Sequence, residues 1–538
     1  MLRHLCARAL PILLLAAPAC FAQDQNPFAR RAPAVNPPPA SSAAASAPAR
    51  PIPAATPRRP APVTAASPAA AASAAHAPAP FVASAPLALE LHNARWFDGK
   101  GFQRGTLFVL DGRFTPTRPK RVNRRMDLGD QYLVAPLADA HNYNLQNEWA
   151  VGQYAQRYLR DGVFYAAMFC ADPNDAEAAR ARLEAAGGPE ALFVTACVTS
   201  SDGQPLGALA EAAPERARSD FIDKTVIAMD KPEDVARKWP LVLARKPDAV
   251  RLMLAESDRP ELRARPELWG RLGLTPEVAA AVTQRAHKTG LRVIAHVETA
   301  ADFGAAVRAG VDWIDHVPGF TDPLGEPAER FALTPELAAD AARAQVAVVT
   351  GAAAARLFKA PPELQAALAA TLKRNLQLLK DAGVTLLLGS DLFTDTAQAE
   401  LHALAATGVF SNAELLRMAT QTTPRALFPK RRVGCFEPGC EASFLLLGAD
   451  PTADLATLNA PLLRADQGRL ITQNLDVAER SDESSISTAE AAKKKAGRGG
   501  KSSGKSTGKS GSAPTKSKTA TKKSPVKASQ AASGAAAQ

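Results

Sequence analysis

Three features are scarce in this chain of 538 residues. No apolar run approaches the ~20 residues that a membrane-spanning helix needs, which excludes a multi-pass membrane protein. No GxGxxG loop joins a strand pattern to a helix pattern, so a dinucleotide-binding open sheet has no support. Acids are nearly missing from both ends: residues 1–86 carry seven Arg and one acid, and residues 491–538 carry eleven Lys, one Arg and no acid. Setting those ends aside leaves 45 of the 64 Lys+Arg and 52 of the 53 Asp+Glu. The net charge of +11 therefore belongs to the ends, and the middle does not have the charge of a nucleic-acid-binding globule.

The ends read as address and spacer. Arg3 and Arg8 precede the apolar run Leu10 to Ala17, and small residues follow at Ala19 and Ala22, the layout of a secretory signal peptide over residues 1–22. An exported, periplasmic or envelope-associated protein is expected. Ala17-Pro18-Ala19-Cys20 resembles a lipoprotein box only faintly, because Pro18 fits poorly and no Leu stands three residues before Cys20. Residues 23–86 are rich in Pro and Ala, lack donors for a ladder or helix, and predict a disordered linker. Residues 476–538 predict a disordered basic tail, with Lys diluted by Ser, Thr, Gly and Ala from Lys493 onward. Its candidate partners are an anionic envelope polymer or a lipid surface; the competing reading is a solvated tail with no partner.

Four cysteines remain in the middle, Cys170, Cys197, Cys435 and Cys440, without the clustered CxxC spacing of a structural zinc site. Pro438-Gly439 makes a turn between Cys435 and Cys440, inside what reads as a hairpin. Cys170 and Cys197 each stand near the end of a predicted strand. Two disulfides, or buried free thiols, are both open.

Between about residues 87 and 490, short apolar runs alternate with longer Ala-rich segments of helical period. The predicted strands are Tyr132 to His141, Gly162 to Cys170, Ala191 to Thr199, Ala249 to Leu254, Leu291 to Val297, Trp313 to His316, Gln345 to Thr350 and Val384 to Asp391. Eight strands, each followed by a helix, predict an α/β fold of the (β/α)8 TIM-barrel type over 132–427. A doubly wound open sheet is the alternative. The flanks, 87–131 and 428–475, alternate apolar and polar residues around turns at Asp98-Gly99, Asp111-Gly112 and Pro438-Gly439, and predict one small β-sandwich built from both sides of the barrel.

In a barrel of this type chemistry sits at the C-terminal strand ends. Polar residues there are Asp139-Ala140-His141-Asn142-Tyr143 on strand one, Arg251 on strand four, and His296 with Glu298 on strand five. Asp315-His316 ends strand six and Ser390-Asp391 ends strand eight. Three of the eight His in the chain, on separate strands, with one Asp, form a donor set for a divalent, zinc-like ion. Asn142, Asn144 and Asn147 could bond a ligand or serve as turn residues.

The order of these pieces resembles the amidohydrolase superfamily, in its imidazolonepropionase-like and prolidase-like branch, from roughly Leu87 to Leu470. The similar segments are Asn93 to Gly99, Ala138-Asp139-Ala140-His141, Ala286 to Leu291 leading to Ala295-His296, Ala309 to His316, Gly389-Ser390-Asp391, and Val433-Gly434 with Glu441 to Phe444. The resemblance implies metal ligands at His141, His296, His316 and Asp391, with Asp391 and His316 also catalytic. It implies a small-molecule amide or ester substrate, a C–N bond hydrolysed by metal-activated water, and a possible homodimer.

Two positions depart from the pattern. Tyr143 stands where a second strand-one His is expected, and Arg251 where a carboxylated Lys would bridge two metals. A guanidinium stays protonated and cannot form a carbamate, so a binuclear centre is not expected and one Zn2+ is. Arg251, Tyr143 and Asn142 become candidate substrate-binding residues, Arg251 as a clamp for a substrate carboxylate. In the opposite reading Arg251 fills the metal space and pairs with Asp391, leaving a degenerate barrel that serves as an exported binding protein.

Overall fold

The computed structural model describes residues 81–319, 326–357 and 361–472. The predicted signal peptide, nearly all of the linker, and the basic tail lie outside the described residues. Among the described residues no helix is long and apolar enough to cross a membrane.

The fold is of the TIM-barrel α/β type with an attached β-rich region. Parallel strands Leu137–Asn142, Val163–Phe169 and Glu190–Val194 form one sheet. Ala196–Thr199, Ala249–Leu254, Arg292–Val297, Trp313–Ile314, Ala347–Val349 and Leu386–Leu387 run in that order through a second, with Ile227–Ala228 at its edge. The predicted third strand is two strands, one in each sheet, interrupted at Thr195. The first and last strands are also joined. Ala140 N donates to Leu388 O at 2.8 Å, Asp391 N to His141 O at 2.8 Å, and Tyr143 N to Leu392 O at 3.1 Å. Every residue of Val163–Phe169 and of Ala249–Leu254 is buried, as strands covered on both faces must be, which explains why their text is apolar apart from Arg251.

Helices pack outside these strands and start where the sequence supplies caps. Pro276–Lys288 begins with the Thr275 side chain accepting from Val278 N, and buries Val278, Ala279, Val282 and Ala286. It stops before Gly290, which takes φ of +77°.

Two expectations about strands are corrected. Tyr132 to His141 is not one strand: Tyr132–Val134 pairs with Leu89–Phe97 and Phe444–Leu447 in the β-rich region, and Leu137–Asn142 with the barrel-type sheet. Pro136, lacking an N–H, stands at the break. The expected hairpin around Pro438-Gly439 is irregular chain, and only Phe444–Leu447 of the Arg432 to Leu447 segment is a strand. A disulfide, Cys435–Cys440, holds that segment instead.

The β-rich region is a nine-stranded sheet formed from both flanks. It has its own core of Leu89, Leu91, Phe114, Phe436 and Phe444 among others. Val82–Ala83, which the sequence assigned to the linker, pairs antiparallel with Arg469–Thr472 in this sheet, Val82 opposite Thr472.

Candidate functional site

A buried carboxyl organises the junction of the first and last strands. Asp139 accepts from Ser390 N at 2.9 Å, Ser390 Oγ at 2.7 Å, Asn142 Nδ2 at 3.0 Å and His141 N at 3.2 Å. Burial pushes its pKa up, against those bonds. Asp139 thereby fixes His141 and Asp391 side by side. Gly389 permits the approach, since a Cβ there would stand 2.9 Å from His141 N. Asn142, expected to contact substrate, faces inward as a brace: its Nδ2 also reaches Ser390 Oγ and Asp395 O, and its Oδ1 accepts from Tyr143 N and Asn144 N.

The His141 tautomer follows from its partners. Nδ1 lies 3.0 Å from the Asp315 carbonyl oxygen, which can only accept, so Nδ1 carries the proton. The Nε2 lone pair of the neutral ring then faces the Tyr143 hydroxyl at 3.1 Å and Asp391 Oδ1 at 3.2 Å. The hydroxyl can donate to it. The carboxylate cannot, so a proton or another cation on that edge is what would hold His141 to Asp391.

A second cluster lies across the rim. His296 Nε2 is 2.9 Å from Glu298 Oε1, which also accepts from Gln204 Nε2 at 2.9 Å. The other nitrogen, Nδ1, lies 2.7 Å from His316 Nε2 and 3.4 Å from Arg251 Nη2. Arg251 Nε donates to Asp315 Oδ2 at 2.5 Å, and Nη1 to the Tyr143 hydroxyl at 3.0 Å. The guanidinium also stands 5.0 Å from the Phe169 ring centre and 3.6 Å from Cys170 Sγ, itself bonded to Cys197.

Burial decides the charge states here. It pushes the His316 imidazole down to about 4, helped by neighbouring His296, so the ring is neutral at neutral pH. It pushes the Tyr143 phenol above its ordinary value, which makes an ionised phenolate ligand unfavourable. Burial would also raise the Asp315 carboxyl, but the Arg251 guanidinium and the surrounding imidazoles outweigh it and hold Asp315 well below the usual carboxylate range.

His296, Asp315 and His316 each offer one donor atom within 4.8 Å of the others. Asp315 Oδ1 is buried and makes no hydrogen bond, an acceptor left for a cation. The rim holds three carboxylates, Asp315, Asp391 and Glu298, and one guanidinium, so these groups carry a formal charge of −2 that a divalent ion would neutralise. Against this, a guanidinium ~4 Å away costs roughly 4 kcal/mol per unit charge at an effective dielectric of ~20. The donor set fits one divalent ion without specifying which.

The four ligands expected from sequence therefore separate into two groups. His296 and His316 meet with Asp315, and His141 pairs with Asp391 outside that cluster. Arg251 pairs with neither Asp391 nor Glu298. Its partner is Asp315, whose role the sequence did not reveal. His402 bonds Gln398 O on its own helix at 2.7 Å and takes no part. Glu400 does, at one remove: it accepts from Thr350 Oγ1 at 2.5 Å, Ala352 N at 2.9 Å and Ala353 N at 2.6 Å, fixing the turn at Gly351 that packs on His316. A hollow of about 330 Å³ between Ser257, Ala301, Arg308 and Leu337 involves none of the rim residues.

The amidohydrolase family profile matches residues 149–462. The chain belongs to the amidohydrolase family. Solved structures share its fold: an amidohydrolase, 20% identical with a TM-score of 0.55, over 72% of this chain and 99% of its own; a Xaa-Pro dipeptidase with methionine bound in the active site, 16% identical with a TM-score of 0.56, over 71% and 99%; and A. niger ochratoxinase, 18% identical with a TM-score of 0.56, over 72% and 96%. No protein of curated function matches the chain. In this amidohydrolase the two altered positions, Tyr143 and Arg251, touch each other. Together they connect the His141–Asp391 pair to the Asp315 cluster.

Proposed function

We propose that the protein is a metal-dependent hydrolase of a C–N bond in a small-molecule amide, working at the mouth of a closed (β/α)8 barrel. The backbone bonds between the first and last strands support closure. The observation that carries the proposal is the bare Asp315 Oδ1 beside His296 Nδ1 and His316 Nε2. These three residues would hold one divalent ion, with Zn2+ the first candidate. When bound, such an ion acidifies a water and polarises a carbonyl.

The chain's own residues do the rest. Asp391, whose side chain is 15% exposed, is the group placed to take a proton from the attacking water and return it to the leaving nitrogen. His141 steers that carboxylate, and the Nε2 edge of His316 is given to holding the ion. Arg251 stays with Asp315 and limits the charge that accumulates there. The leader-like residues 1–22 support export, and the lysine-rich tail supports an anionic envelope partner by its charge alone.

One observation favours a second reading, a binding protein without turnover: every nitrogen of Arg251 is engaged, and Nη2 stands 3.4 Å from a would-be ligand atom. Metal content separates the two. The purified full chain, reconstituted with Zn2+ and dialysed, should retain close to one ion and hydrolyse amides until chelated, and Asp315→Asn and His316→Ala should lose the ion. A chain that retains none after reconstitution would defeat the hydrolase reading.

A further inference from the structure

The rim holds an aromatic pair that neither the family pattern nor the ion cluster accounts for. Tyr143 and Phe393 stack with ring centres 4.9 Å apart and planes 17° from parallel, and both are half-buried. Phe393 lies two residues beyond Asp391, the open acid of the rim. The Tyr143 ring cannot turn freely, because its hydroxyl accepts from Arg251 Nη1 and faces His141 Nε2. A fixed aromatic surface beside the proton-transfer group is suited to a flat apolar group of a substrate.

Charge narrows the substrate further. Binding a free carboxylate calls for an available cation, and the arginines beside Tyr143 and Phe393 are matched by acids, as are Arg259 and Arg330. Arg251 is held by Asp315, and Arg157 and Arg356 both by Asp395. Arg259 is held by Glu326, and Arg330 by Glu256 and Asp258. With a divalent ion added, the formal charges of Asp315, Asp391, Glu298 and Arg251 sum to zero. Among the described residues around the stack, no guanidinium is left without an acid to receive an anionic substrate.

Resting on the hydrolase reading for the reaction but not for binding, we infer that this site takes uncharged aromatic amides, seated on the Tyr143–Phe393 stack, and not dipeptides or other substrates with a free carboxylate. The arginine carboxylate clamp expected from the sequence is absent because Arg251 is turned to Asp315, Tyr143 and His296.

The test is binding and turnover by the full chain, with benzanilide as the neutral aromatic probe and glycyl-proline as the carboxylate-bearing one. Calorimetry should detect benzanilide and give at least tenfold weaker binding of glycyl-proline. Phe393→Leu keeps an apolar side chain but removes the ring, and should weaken benzanilide roughly three- to tenfold, as loss of an aromatic contact does. Phe393→Tyr should restore it, which a loss of folding would not allow. Benzanilide binding without turnover would sustain this inference while removing the hydrolase reading. Turnover of glycyl-proline at a rate equal to or above that of benzanilide, or Phe393→Leu binding benzanilide like the parent, would overturn the inference and leave the hydrolase reading standing.

Discussion

Arg251 and Asp315, on neighbours of one strand among the parallel strands, form a buried ion pair with Nε 2.5 Å from Oδ2 and side chains 4% and 0% exposed. A pair so enclosed adds little over apolar packing, but losing one member strands a charge in the interior.

Arg251→Met should therefore destabilise the fold by about 3–5 kcal/mol, read from denaturant midpoints at pH 7. The double variant Arg251→Met with Asp315→Asn should recover part of that loss. Because Asp315 is held below its unfolded pKa, the parent keeps this contribution above about pH 4 and loses it only as pH falls further, toward the folded value. An Arg251→Met chain as stable as the parent would show that the pair does not exist in solution.

The Cys170–Cys197 bond closes a loop with a sequence separation of 27. Restricting the unfolded chain by a loop of that size is worth about 3.5 kcal/mol. Cys170→Ser with Cys197→Ser should lower the unfolding free energy by that order, whereas removing Cys435–Cys440, with a separation of 5, should cost less. Thiol titration under denaturing conditions, with and without reductant, checks that both bonds form.

Gly351 sits at φ +63° with space for no side chain, since a Cβ would stand 2.8 Å from His316 Cβ. Gly351→Ala should cost about 1–3 kcal/mol and displace the His316 ring. Nuclear magnetic resonance of the imidazole protons should show a shifted His316 signal, and metal retention should fall with it. An unchanged spectrum would mean that the turn is looser than described.

Burial pushes the Glu400 carboxyl up to about 7, against the bonds from Thr350, Ala353 and Ala352. The folded state then binds the proton more tightly than the unfolded state, so the contribution is full below about pH 4.5 and is lost as pH rises through about 7. Stability should decline by up to about 3 kcal/mol across that window. Glu400→Gln, which cannot ionise, should flatten the slope between pH 5 and 8. A slope identical to the parent's would assign it to other groups.

The strands were legible where burial on both faces wrote a continuous apolar run, as at Val163–Phe169, and Ala249–Leu254 was legible to the residue although Arg251 interrupts its apolar text. Tyr132 to His141 was read as one strand because both halves are apolar, and only pairing reveals that they join different sheets. The strand-end histidines were legible as a set, but their grouping was not. Trp313–Ile314 is a strand of two residues, so Asp315 and His316 follow its end and need not alternate faces, and both turn toward the rim. The partner of Arg251 lies 64 residues away, and nothing local marks it.

Val82 lies opposite Thr472, so the two ends of the described chain are neighbours on one sheet. Residues 1–80 and everything after Thr472 therefore attach at a single place, and a short tether there could join tail to head while a new opening is cut in a solvent-facing connection elsewhere. Such a circular permutant would carry no extensions at that edge, and comparing it with the parent would isolate what those appendages contribute.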